Sequence, residues 1–203
     1  MNPSIIYYDT HIYHFFMRLL YGRHFEDRYK IVAEQIPSHT SVVDVCAGDA
    51  YLYTKYLKTK YIDYLAVDNS PHFIQSALKR KIKCQRLNII EDRIPYAEVV
   101  VMMASLYQFI PFEKDVLQKL INCSKFMLII TEPISNLSSS HSRFISRVAH
   151  TLSIPFQANN KYNGERFDHD RVINLFHSYP EFQFSKLIPG EREVMGVFMK
   201  KRK

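Results

Sequence analysis

A run of β-branched apolar residues, Ser41-Val42-Val43-Asp44-Val45, breaks into the small-residue turn Cys46-Ala47-Gly48-Asp49-Ala50, and a helical pattern follows at once. A second apolar run, Tyr64-Leu65-Ala66-Val67, ends on Asp68 just ahead of Asn69-Ser70-Pro71. Strand, small-residue turn, helix, strand and terminal acid is the order that holds a nucleotide-like ligand over the edge of a parallel sheet. The turn lets the backbone approach the ligand, and the acid accepts hydrogen bonds from ribose hydroxyls. A full fingerprint would have three glycines in the turn. Here Cys46, Gly48 and Ala50 stand at those positions.

The rest of the chain repeats the alternation. Tyr13, Phe16, Met17 and Leu20 recur at helical spacing, and a second helix is predicted from His24 to Gln35. Strands are predicted at Val42 to Cys46, Ile62 to Val67, Ile82 to Leu87, Glu98 to Met103 and Phe126 to Ile130. The run Val99-Val100-Val101-Met102-Met103 is almost unbroken, as expected of a strand buried on both faces. Asn69-Ser70-Pro71 and Pro111-Phe112-Glu113 read as helix starts. Helices are predicted again from about His141 to Leu152 and from about Asp168 to Ser178. Phe182 to Ile188 and Val194 to Met199 flank Pro189-Gly190-Glu191 as a closing hairpin. Strands alternating with helices imply a mostly parallel sheet with helices on both faces, and the hairpin makes one edge antiparallel.

At 203 residues, 47% hydrophobic and 23% charged, the chain suits one domain with a sizeable core. Three cysteines at wide spacing, Cys46, Cys84 and Cys123, read as reduced thiols of a cytoplasmic protein rather than a disulfide frame or zinc site. No apolar stretch approaches a transmembrane span, and no signal peptide is expected at the N-terminus. The histidines show no metal spacing. The net charge of +7 collects at Lys79-Arg80-Lys81-Lys83-Arg86 and at Lys200-Lys201-Arg202-Lys203, both read as solvated charge.

Taken in order, these segments resemble the class I methyltransferases that use S-adenosylmethionine, over roughly residues 5 to 200. The resemblance implies a Rossmann-like, three-layer α/β sandwich around a mostly parallel seven-stranded sheet with an antiparallel C-terminal hairpin strand. It implies one domain over residues 1–203: a helical cap over 1–37, a cofactor-binding half over 38–134, and lid helices with the closing hairpin over 135–203. Asp44 to Ala50 matches the family's acid-x-Gly-x-Gly-x-Gly turn. By resemblance, Asp44, Cys46, Ala47, Gly48 and Asp49 would line the cofactor. Asp68 and Asn69 would hold the ribose, Asn88 and Ile89 the adenine, and Ala104 and Ser105 the wall after strand four. Ala50 lies where a helix begins, so alanine should cost little there. A positive φ at Cys46 would cost about 1–2 kcal/mol.

Methyl transfer from a sulfonium needs an in-line nucleophile and a dry site more than it needs acid–base help. The family therefore has no universal catalytic residue. Tyr107 and Glu132 are the polar candidates at the strand ends. Glu132 could be a general base, or a cap on the Ser-rich loop that follows it, which is the favoured expectation. Tyr7, Tyr8 and Tyr13 could form an aromatic lid over a sulfonium or pack in the core. Arg143, Arg147 and His150 share a predicted helix face and read as solvated. No Asn-Pro-Pro-Tyr or Asp-Pro-Pro-Tyr follows strand four, which disfavours methylation of an exocyclic amine in nucleic acid. The expectation is an S-adenosylmethionine-dependent methyltransferase of a small molecule. The alternatives are a non-catalytic binding or partner protein of the same fold, and an RNA methyltransferase. A nicotinamide-binding sheet would want the G-x-G-x-x-G register, and here only Gly48 is present.

Overall fold

Val99, Val100, Val101 and Met102 are fully buried, so the middle of this strand faces protein on both sides. That places β4 (Ala97–Met103) at the centre of the sheet. The computed structural model describes residues 22–133, 167–188 and 193–200. Around β4 lie β1 (Ser41–Val45), β2 (Asp63–Asp68), β3 (Cys84–Arg86), β5 (Ser124–Pro133), β6 (Phe182–Ile188) and β7 (Glu193–Met199). The seven strands run in the order β3-β2-β1-β4-β5-β7-β6. The first five are mutually parallel, and β7 inserts antiparallel between β5 and β6. Val43 pairs with Val100, Val100 with Leu128, and Ile129 with Val197.

Strand parity sorts the apolar residues into two layers. Val42, Val99, Val101, Ile129 and Val197 pack on one face beneath Phe25, Tyr29, Val32 and Ala33 of α1 (Phe25–Gln35). Val43, Val45, Val100, Met102, Leu128 and Ile130 pack on the other. That second face is covered by Val116, Leu117 and Leu120 of α3 (Glu113–Cys123) and by Val172 and Phe176 of α4 (His169–His177). Between β2 and β3 runs α2 (Pro71–Lys79), capped by Ser70 and opened by Pro71.

The predicted elements recur with shifted ends. β5 is longer than its apolar run, because hydrogen bonding to β4 and β7 on both sides draws in Ser124, Thr131 and Glu132. β3 is shorter, having β2 alone as a partner. The helices predicted near Tyr13 to Leu20 and over 141–152 lie outside the described residues. Among the described residues, no helix is long and apolar enough to cross a membrane.

Candidate functional site

β1 and β4 are neighbours, but the chain leaves β1 toward β2 and leaves β4 toward β5. A crevice at the carboxyl ends of two such strands is where open α/β sheets take ligands. One wall is the turn after β1. Its backbone is left-handed at Cys46, Gly48 and Ala50, each with φ of 56°. These are the three fingerprint positions, so the glycine geometry persists where two glycines are absent. The expectation for Ala50 is corrected: the helical turn begins after it, and Ala50 carries the same strain as Cys46, about 1–2 kcal/mol for each residue. At Gly48 the constraint is the dihedral alone, since an added Cβ would meet only Phe73, at 4.0 Å.

The turn is held from three sides. Ala47 N–H donates to Val67 O at 3.2 Å, and Ala50 N–H donates to Ala47 O at 2.9 Å. Arg80, at the end of α2, donates to Asp49 O. Gly48 N–H donates to Asp68 Oδ2 at 2.9 Å, while Ser70 N–H donates to Asp68 Oδ1 at 2.8 Å. Asp68 thus ends β2 with each oxygen held by a backbone amide. A carboxylate has about four acceptor sites, so acceptor capacity remains beside these bonds. Burial raises the Asp68 pKa, against the pull of the Ser70, Gly48 and Asn69 amides. Asn69 is half-buried, and its carbonyl accepts from Arg86 Nε at 3.1 Å.

Asp44 lies on β1 just below the turn and is buried, as is Asp49. Tyr64 Oη donates to Asp44 Oδ2 at 2.7 Å. Burial pushes Asp44 up to about 7, with Asp68 and Asp49 adding repulsion and the Tyr64 bond opposing them. The Cys46 thiol is likewise raised by burial and by the carboxylates of Asp68, Asp44 and Glu132. It is therefore a neutral thiol rather than a reactive thiolate.

The opposite wall follows β4. Ala104 is left-handed, with φ of 49°, and Ser105 is buried. Glu132 is fully buried at the end of β5. It accepts from Ser105 N–H at 2.9 Å, Leu106 N–H at 2.6 Å and Tyr107 N–H at 3.3 Å. Glu132 thus caps the short 3-10 turn Leu106–Phe109; the Ser-rich loop that it was expected to cap lies outside the described residues. Burial pushes it up to about 8. The Tyr107 ring packs against the core cluster beneath α3 and α4. Asn88 Oδ1 accepts from Ile90 N–H at 3.2 Å, so part of its acceptor capacity closes its own loop. Ile89 is buried in the core, and its carbonyl accepts from Lys119 Nζ at 3.0 Å. Tyr7, Tyr8, Tyr13, Arg143, Arg147 and His150 lie outside the described residues.

With this geometry in view, comparison with solved structures is informative. The chain is similar to the plantazolicin methyltransferase BpumL, solved with a desmethylPZN analog and SAH. The two are 15% identical over 92% of this chain and 85% of that one, with a TM-score of 0.58. It is also similar to a TehB-like SAM-dependent methyltransferase from Corynebacterium glutamicum, at 12% identity over 86% and 88% of the chains, with a TM-score of 0.56. The fold is that of the class I S-adenosylmethionine-dependent methyltransferases. A Rhodobacter sphaeroides protein named for Zn-dependent alcohol dehydrogenases matches as well. It is 12% identical over 92% and 97% of the chains, with a TM-score of 0.60. Names among the neighbours therefore diverge. The sheet itself separates the classes: dinucleotide-binding sheets run 3-2-1-4-5-6, whereas this one inserts an antiparallel β7 beside β5. No family model and no curated protein matches the sequence.

Within this methyltransferase fold, several residues that organise the cradle escape sequence reading. Tyr64 carries a usable signal. An acid inside an apolar strand needs a partner on the same face of its neighbour, and the parity of Asp44 points to Tyr64. Arg80 and Lys119 carry no such local signal, and neither does the buried pair Arg28–Glu193 that joins α1 to β7.

Proposed function

We propose that the chain binds S-adenosylmethionine in the crevice between the post-β1 turn and the post-β4 wall, and that it methylates a small-molecule acceptor. The observation that carries this reading is the turn backbone: positions 46, 48 and 50 keep the left-handed geometry of a glycine fingerprint at the switch point, although Cys46 and Ala50 are strained there. Strain held at such a place is characteristic of a ligand-binding backbone.

The residues present fit such a ligand. Asp68 would accept from the ribose hydroxyls on its remaining acceptor capacity. Asn69 and the turn 46–49 would line the ribose and amino-acid portions, with Asp44 beneath. Asn88 and Ile89 would border the base, and Ala104 and Ser105 would form the far wall. When bound, the cofactor supplies a methyl group on a sulfonium, and its departure needs no proton. The chain's own task is to orient the acceptor and exclude water. Glu132 gives both oxygens to backbone amides, so orientation rather than proton abstraction by Glu132 is the chain's contribution.

Two features support the finer points. The three cysteines are free thiols, which suits a cytoplasmic protein. The exposed Lys79 and Lys81 lie at the end of α2, where cations complement the helix dipole, and Arg80 between them is engaged with Asp49 O of the turn, so these charges have roles that require no RNA.

Calorimetric titration with S-adenosylmethionine and S-adenosylhomocysteine tests the reading. Both should bind, and Asp68→Ala should lose about 1–3 kcal/mol of affinity through its hydrogen bonds. No binding to the parent protein would refute the cofactor assignment. Binding without turnover across a broad acceptor panel would leave a non-catalytic binding protein of this fold as the better reading.

A further inference from the structure

The carboxyl end of β5 carries two adjacent polar residues on opposite faces of the sheet. Thr131 donates its hydroxyl to Glu193 Oε1 at 2.5 Å. Glu132 turns to the other face, where its carboxyl group accepts from the amides of Ser105, Leu106 and Tyr107, three consecutive residues. The first amides of a helical turn have no partner within it. A buried carboxyl group can satisfy several at once through its two oxygens. Burying that carboxylate is costly, so the loop it holds is built at the expense of stability. Its two oxygens are used unequally. Oε1 takes the two short bonds from Ser105 and Leu106, and Oε2 takes the long one from Tyr107.

The held segment faces the turn after β1. Ser105 and Glu132 both lie close enough to Cys46 to act on it electrostatically. Ala104, directly before the clamp, is left-handed. Two strained segments on neighbouring strands thus meet across the crevice, and one of them is fixed from β5. If the wall shifted, Ser105 would leave Cys46 and the width of the crevice would change.

We propose that Glu132 is a positioning residue for the cofactor crevice: by holding the amides of residues 105–107 it fixes the post-β4 wall opposite the turn at residues 46–50. This rests on the cofactor reading above. The loop-holding part can be tested on the protein without any ligand, so failure of one is distinguishable from failure of the other.

The experiment is residue-resolved amide hydrogen exchange on the parent chain, Glu132→Gln and Glu132→Ala, paired with S-adenosylhomocysteine titration of each. In the parent, amides 105–107 exchange as slowly as those of β4. In Glu132→Ala they exchange at least about tenfold faster, the equivalent of one lost hydrogen bond, while β1 and β4 amides stay within about threefold. Glu132→Gln keeps one carbonyl oxygen but replaces the other with an NH2 group that cannot accept. It restores protection at 105 and 106 and leaves 107 fast. Affinity for S-adenosylhomocysteine falls about tenfold in Glu132→Ala and returns to within about threefold in Glu132→Gln.

Fast exchange at 105–107 in the parent overturns the proposal, as does a uniform rise across the sheet in Glu132→Ala. Loss of loop protection with parental affinity for S-adenosylhomocysteine overturns the positioning role. Should Glu132→Ala fail to fold, the parent protection pattern and the split between residues 106 and 107 in Glu132→Gln decide the matter.

Discussion

Arg28 of α1 and Glu193 of β7 form an ion pair at 2.9 Å, with side chains only 2% and 1% exposed. Thr131 donates to the same Glu193 oxygen, and the other, Oε2, has no hydrogen-bond partner among the described residues. A buried pair of this kind is costly to assemble and more costly to break, because removing one partner strands the other charge. Arg28→Met leaves the carboxylate with Thr131 alone. The expected loss is about 3–5 kcal/mol. At this chain length each kcal/mol moves the melting point by about 2–4 °C, so Tm should fall by roughly 6–20 °C. Adding Glu193→Leu removes the stranded charge and should recover most of the loss. About 1–3 kcal/mol would stay missing, because the Thr131 hydroxyl is then unsatisfied; Thr131→Val in the same background should remove that remainder. Urea denaturation with a check for constant m-value measures all four proteins. Arg28→Met within about 1 kcal/mol of the parent would refute the reasoning, as would a double variant no more stable than the single one. The first result would show the pair to be solvated, and the second would show the cost to be lost packing rather than stranded charge.

Other outcomes follow from the same geometry. Tyr64→Phe should destabilise by about 1–3 kcal/mol and raise the Asp44 pKa further, which titration of the Asp44 carboxyl by carbon NMR would register. Asp44 and Glu132 have folded pKa values raised to about 7 and about 8. Their linked stability is complete below the ordinary carboxylate range and is lost as pH rises through those values. Melting curves should therefore show a lower Tm at pH 9 than at pH 5.5 from these two groups, and Glu132→Gln should flatten the alkaline part. Gly48→Ala should cost about 1 kcal/mol from its left-handed backbone. An observed cost above about 3 kcal/mol would indicate a clash that the open space near Phe73 does not contain.

The elements of the fold were legible because each writes a local pattern. The unbroken run at Val99 to Met102 marked a central strand, and Ser70-Pro71 marked a helix start through cap chemistry. The cradle was legible in outline, since Asp44, Gly48 and Asp68 stand at strand ends and in a turn. It misled where a residue's conformation is set by what surrounds it. Ala50 reads as a helix former, yet the turn forces it left-handed. Asn88 reads as ready to hold a base, and part of its acceptor capacity already closes its own loop. Glu132 reads as a base or a cap for the residues that follow it, yet its partners lie more than twenty positions earlier in the chain.

By itself, then, the sequence determined the alternation of strand and helix, the buried centre of the sheet and the placement of a small-residue turn ahead of an acid. Periodicity and cap chemistry act within a few residues and survive without knowledge of the whole. Only the tertiary structure decided which polar groups meet: Tyr64 with Asp44 across 20 positions, Glu132 with the loop after β4, and Arg28 with Glu193 across 165. Those pairings are set by strand order and by which face each side chain takes. A buried polar group must find its partner wherever the fold brings one within about 3 Å.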